Sequence, residues 1–116
     1  MQNGTNNFLV KMLIMAVAIL LTAYLLPGVR VESFLSAVLL AALLALFNVT
    51  LKPVLVILTI PVTFITLGLF LLVINALLIL LADAILPGFE VAGFWWAMLF
   101  SIVLWFINGV LLNLAK

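Results

Sequence analysis

Residues 26–48 read LPGVRVESFLSAVLLAALLALFN, and residues 86–108 read LPGFEVAGFWWAMLFSIVLWFIN. The two stretches align without a gap at an offset of 60 residues, with identities at Leu26 and Leu86, Pro27 and Pro87, Gly28 and Gly88, Val31 and Val91, Phe34 and Phe94, Ala37 and Ala97, and Asn48 and Asn108. A shared turn followed by a shared asparagine is more than apolar coincidence, and it predicts two copies of a helix, LPG turn and helix unit. Proline cannot continue the helical hydrogen-bond ladder and glycine tolerates the turn, so Pro27-Gly28 and Pro87-Gly88 close two tight hairpins.

Composition fixes the solvent. The chain has 116 residues, 71% of them hydrophobic and 6% charged, whereas a soluble domain carries roughly a quarter charged residues. Lys11, Arg30, Glu32, Lys52, Asp83, Glu90 and Lys116 are its only charged side chains. A bilayer core about 30 Å thick needs roughly 20 apolar helical residues, and four stretches qualify, at 8–26, 33–51, 66–86 and 94–114. The prediction is an all-α membrane protein forming one transmembrane domain over 1–116, with repeat one at about 8–51, an insert at about 52–65 and repeat two at about 66–114.

The insert carries prolines at Pro53 and Pro61 and is too short to cross, so an interfacial helix or a shallow re-entrant segment fits. The hydroxyls of Thr59 and Thr63 stand ready for backbone groups that a proline break leaves unpaired. Lys11 precedes an apolar run as in a signal peptide, but no A-x-A-like site follows, so the first span is expected to stay.

Lys11, Lys52 and Lys116 fall at the N-terminus, the middle connection and the C-terminus, while Arg30, Glu32, Asp83 and Glu90 gather at the two LPG turns. By the positive-inside rule both termini are cytoplasmic in a bacterial inner membrane.

With no histidine and no cysteine, imidazole catalysis, disulfides and thiolate metal sites are excluded. No catalytic residue, cofactor or metal is expected. A net charge of +1 gives no basic patch, so nucleic acid is no partner. The expected partners are the lipid bilayer and further copies of the chain.

Small residues recur every four positions at Ser33, Ala37, Ala41 and Ala45, with Gly93, Ala97 and Ser101 at the matching places of the second copy. Such a stripe lets helix backbones approach closely where lipid removes the hydrophobic difference, and protomers are expected to meet along it. Asn75 lies near the middle of the third span and needs hydrogen-bond partners. Asn48 and Asn108 lie towards the cytoplasmic ends of the second and fourth spans as a symmetric pair. Asp83 sits one turn before Pro87, within reach of the interface, and Glu90 matches Arg30 in position, which suggests an ion pair between the hairpins. Phe94, Trp95 and Trp96 read as an interfacial aromatic belt, and Trp105 as core or subunit packing.

The segments NVTLKP at 48–53, Thr59-Ile60-Pro61, TLGLF at 66–70, Asn75 and LPGF at 86–89 resemble those of the phage holin superfamily IV group. The resemblance covers nearly the whole chain after Lys11. It implies a small four-helix protein that accumulates in the inner membrane, oligomerises and opens a lesion for a lysis enzyme, with no catalytic residue of its own.

Three functions fit these residues. A self-associating, pore-forming protein follows from the small-residue stripes and the resemblance. A selective channel or transporter would use a polar path from Asn75, Thr63 and Thr66 beside the helix break at Pro61. A structural or accessory membrane protein needs only an apolar outer surface and one interfacial segment.

Overall fold

The computed structural model describes residues 4–66 and 68–115, with the side chains of residues 4–6, 63 and 65 outside that description. The order is α1 (Gly4–Leu25), β1 (Val29–Val31), α2 (Phe34–Val49), α3 (Leu51–Leu58), α4 (Ile60–Ile65), α5 (Leu69–Ile85), β2 (Phe89–Val91) and α6 (Phe94–Leu114).

Local chemistry sets the boundaries. The last turns of α1 and α5 close with Leu26 N–H donating to Thr22 C=O at 3.0 Å and Leu86 N–H to Ala82 C=O at 2.8 Å. Pro27 and Pro87 follow at once and carry no N–H to extend either ladder. The Ser33 hydroxyl caps α2 by accepting from Ser36 N–H at 3.2 Å. Pro53 removes a donor and crowds the carbonyl four residues back, at Val49, which is the last residue of α2. There the Thr50 hydroxyl donates to Leu46 C=O at 2.7 Å, and α3 departs at 42°. Pro61 acts likewise at the α3 to α4 break, where Thr59 donates to Leu55 C=O at 2.7 Å. Gly68, at φ 89°, makes the left-handed step into α5.

Among the described residues two helices are long and apolar enough to cross a membrane alone, Asn7–Leu25 and Phe94–Leu114, and α2 with α3 adds a third if the bent pair is one span. The sequence predicts four. The difference lies at the ends of the second and third stretches: Ser33 caps α2 from outside it, α2 stops at Val49, and Thr66 caps α4 instead of opening α5. At 17 residues α5 reaches about 25 Å.

Two strands of three residues, which the sequence reading does not contain, join the turns. β1 and β2 pair antiparallel, with Val29 opposite Val91, Arg30 opposite Glu90 and Val31 opposite Phe89. Glu32 N–H donates to Gly88 C=O and Ala92 N–H to Gly28 C=O, both at 2.8 Å. So small a ribbon is marginal alone. Here Phe89, Val29 and Val91 are buried beneath it, and Phe89 packs against Phe100 in a tilted arrangement with ring centroids 5.5 Å apart.

α1 packs along α2 and α6, α5 along α6, and α2 meets α5 more sparingly. The core between them recurs at the offset of the sequence match: Ala16 and Ala76, Ile19 and Ile79, Ala37 and Ala97, Leu40 and Phe100, and Leu44 and Leu104 are all buried. Large apolar side chains also cover the outside, among them Phe8, Leu39, Leu77, Trp105 and Phe106. An apolar exterior this extensive belongs in lipid.

Candidate functional site

The end of the bundle away from the strands holds a half-open cavity of about 190 Å³ whose lining mixes amide and cationic groups with apolar side chains. Helical spacing builds it. Leu44 and Asn48 lie one turn apart on α2, Asn75, Leu78 and Ile79 share a face of α5, and Ser101, Leu104, Trp105 and Asn108 form one stripe of α6. Lys52, in the first turn of α3, closes the ring.

Asn48, Asn75 and Asn108 therefore line a single space. Asn75 and Asn108 are half-buried and Asn48 is exposed. The Asn108 Oδ1 atom is buried with no hydrogen-bond partner. Ser101 is 9% exposed and its hydroxyl donates to Met98 C=O at 2.8 Å, so its proton is already committed. Among the described residues both ion pairs belong to Arg30, and no carboxylate lines the cavity, which leaves the Lys52 ammonium without an acidic neighbour.

Thr66 lies elsewhere. Its hydroxyl donates to Val62 C=O at 3.0 Å and accepts from Phe70 N–H at 3.2 Å, which joins α4 to α5. The Thr63 side chain lies outside the described residues. Pro61 is in the first turn of α4 and exposed.

Of the small-residue stripes, Ala37, Ala41 and Ala97 are at most 1% exposed within one chain, and Ser101 is nearly as buried. Ala45 and Gly93 are half-buried, and Ser33 is an exposed cap. Ala37, Ala41, Ala97 and Ser101 are thus occupied by contacts inside the protomer, whereas Ser33, Ala45 and Gly93 are not fully covered there. Trp105, read from sequence as core or subunit packing, is 78% exposed and so is no part of the core. Trp95 faces outward as a belt residue should, but Trp96 turns inward onto Gly28, where an added Cβ would collide with the indole. At the corresponding turn a Cβ on Gly88, at φ +87°, would stand 2.5 Å from the Ser36 hydroxyl.

At the strand end, Arg30 Nη2 lies 2.7 Å from Glu90 Oε1 and its Nη1 lies 3.8 Å from Glu32 Oε2. The hydrogen bond to Glu90 and its charge hold the guanidinium pKa above its ordinary value. The Asp83 carboxylate accepts from Val91 N–H at 3.2 Å, fastening the end of α5 to β2. Among the described residues no cluster of histidine, cysteine, aspartate or glutamate could hold a metal ion.

The place of Lys52 in the cavity and the convergence of the asparagines were missed by the sequence reading, which used Lys52 for orientation and within the NVTLKP segment. The available signal was its place four residues after Asn48, obscured because the helix breaks between them.

The chain is 39% identical over 119 residues to an uncharacterized protein of Streptomyces coelicolor, a match covering 90% of this chain and 95% of that one. It is 38% identical over 97 residues to an uncharacterized membrane protein, YvlD, of Bacillus subtilis, covering 77% of this chain and 82% of the relative. No solved structure matches. Residues 6–110 match the family described as "Mycobacterial 4 TMS phage holin, superfamily IV", and the chain belongs to that family of holin-like membrane proteins.

Proposed function

We propose that this chain is a four-span inner-membrane protein of two repeated hairpins, with both termini cytoplasmic, that self-associates and opens a path between its copies. The observation that carries this reading is where the apolar surface is spent. Inside the protomer, Phe89 and Phe100 fill the strand end almost completely, at 1% and 0% exposed. Outside, Trp105 and Phe106 stand 78% and 64% exposed on neighbouring positions of α6. A hole through one copy would have to displace its core, whereas aromatic outer faces offer packing between copies. The buried pairs repeating at an offset of 60 support the hairpin reading, and Lys11 and Lys52, both near the end of the bundle where α6 finishes, support the orientation. The family is non-enzymatic, in keeping with a role that needs no catalytic group.

The test is leakage of size-graded dyes from liposomes containing the purified protein, with oligomeric state determined in the same preparation. Release of large dyes by an oligomer is the expected result. A well-inserted protein that stays monomeric and releases nothing overturns the proposal and favours an accessory role.

One observation favours a second reading, selective passage of a small solute: the asparagines meet in one cavity. Ion flux abolished by Asn75→Leu is its expected signature, and flux indifferent to that change sinks it.

A further inference from the structure

The cavity at the end of the bundle away from the strands sets one cation among several amides. Its polar lining consists of the Lys52 ammonium, the carboxamides of Asn48, Asn75 and Asn108, and the Ser101 hydroxyl. A cationic group beside a low-dielectric interior is costly unless an anion or good hydrogen bonds compensate it. No aspartate or glutamate lines this wall. Lys52 is half-buried with no carboxylate beside it on this wall, so an anion from outside the chain is electrostatically favoured there.

The three amides sit on three different helices, so one ligand touching all of them needs several oxygens set in three dimensions. A cavity of about 190 Å³ exceeds the roughly 30 Å³ share of one water several times over. A tetrahedral oxyanion meets both conditions. Lysine binds phosphate as a point charge, and each carboxamide offers two N–H donors alongside one acceptor oxygen. The buried atom of Asn108 that lacks a partner is its acceptor oxygen, and turning the carboxamide over, which exchanges O and N, presents its N–H donors in that place.

We infer that this cavity binds a phosphate group, clamped between Lys52 and the amides of Asn48, Asn75 and Asn108. The group is carried either by free phosphate or by a phospholipid headgroup entering where α2 bends by 42° into α3. One copy suffices to form the site, so the inference stands apart from assembly and from passage of any solute.

Lipid-stripped protein in a non-ionic maltoside detergent is titrated with inorganic phosphate in one arm and short-chain phosphatidylglycerol in the other. Sodium chloride at matched ionic strength is the control. A ligand that binds only the folded state raises the unfolding midpoint saturably, and Trp105 on the cavity rim gives a second, fluorescent readout. Loss of one charge-assisted contact should weaken binding at least about tenfold. Lys52→Gln should do so by removing the charge, and the near-isosteric Asn108→Asp by placing a carboxylate against the ligand. Lys11→Gln should match the unaltered protein, because Lys11 lines a separate groove between α1 and α6. A response to phosphate alone identifies a free ion, a response to the lipid alone a headgroup, and a response to both the shared group. A midpoint and fluorescence indifferent to both ligands overturn the inference. So does a response that chloride reproduces, or one that survives in Lys52→Gln and Asn108→Asp.

Discussion

The Trp96 indole occupies the space that a side chain on Gly28 would need, so helix α6 rests directly on the backbone of the first turn. Overpacking of this kind costs about 1–3 kcal/mol. Gly28→Ala should destabilise by that amount in a reversible unfolding titration. Adding Trp96→Ala should give a double variant more stable than the two single losses predict, because the shared clash is then gone. Strict additivity would show that the two residues do not touch.

Ala41 is 1% exposed inside the protomer, against a packed interior. Ala41→Leu should therefore lower the stability of a single copy by about 1–3 kcal/mol. Trp105→Ala, on the outer face, should leave that stability nearly unchanged and shift the monomer to oligomer balance on crosslinking. The opposite pattern would place the protomer interface on the small-residue stripe.

Asp83 receives one backbone hydrogen bond, from Val91. Asp83→Ala should cost about 1 kcal/mol, the usual net value of such a bond. Asp83→Asn, which keeps an acceptor oxygen, should recover most of it. Equal losses in both would mean that the charge rather than the acceptor matters.

The raised pKa of Arg30 has a definite sign in its linkage to stability. A cation whose pKa rises on folding stabilises the fold fully below its unfolded value and stops doing so only as pH climbs through the folded one. That window is strongly alkaline, so Arg30 itself should add no pH dependence between pH 6 and 9, a range chosen for about neutral conditions. The pair is more than half exposed, and Arg30→Gln should lower the unfolding midpoint by no more than about 4 °C.

Much of the architecture was legible because it rests on local chemistry. LPG turns, Pro53 and Pro61 act within four residues of themselves, and the breaks fall where those prolines require them. The small residues that the sequence matched at an offset of 60 are buried together where they pack, as Ala37 with Ala97 illustrates. The strand pairing was not legible, because VRV and FEV are too short for alternation to register and acquire meaning only when the turns meet. At the cavity, sequence singled out each asparagine as a polar group needing partners but could not say that they share a space. That fact depends on how four helices cross, and periodicity along one helix does not encode it.

The register of the two strands bears on partner choice. Arg30 and Glu90 are corresponding residues of the two turns and also lie opposite each other at the middle of the pairing. If two first turns were to clasp in this register, Arg30 would face a second Arg30, and like charges directly opposite are destabilising. Two second turns would set Glu90 against Glu90. The unlike charges at this one position therefore make the first turn a matched half for the second and a poor one for itself. In a membrane crowded with copies of the chain, each first turn would thus be steered to close on a second turn rather than on another first.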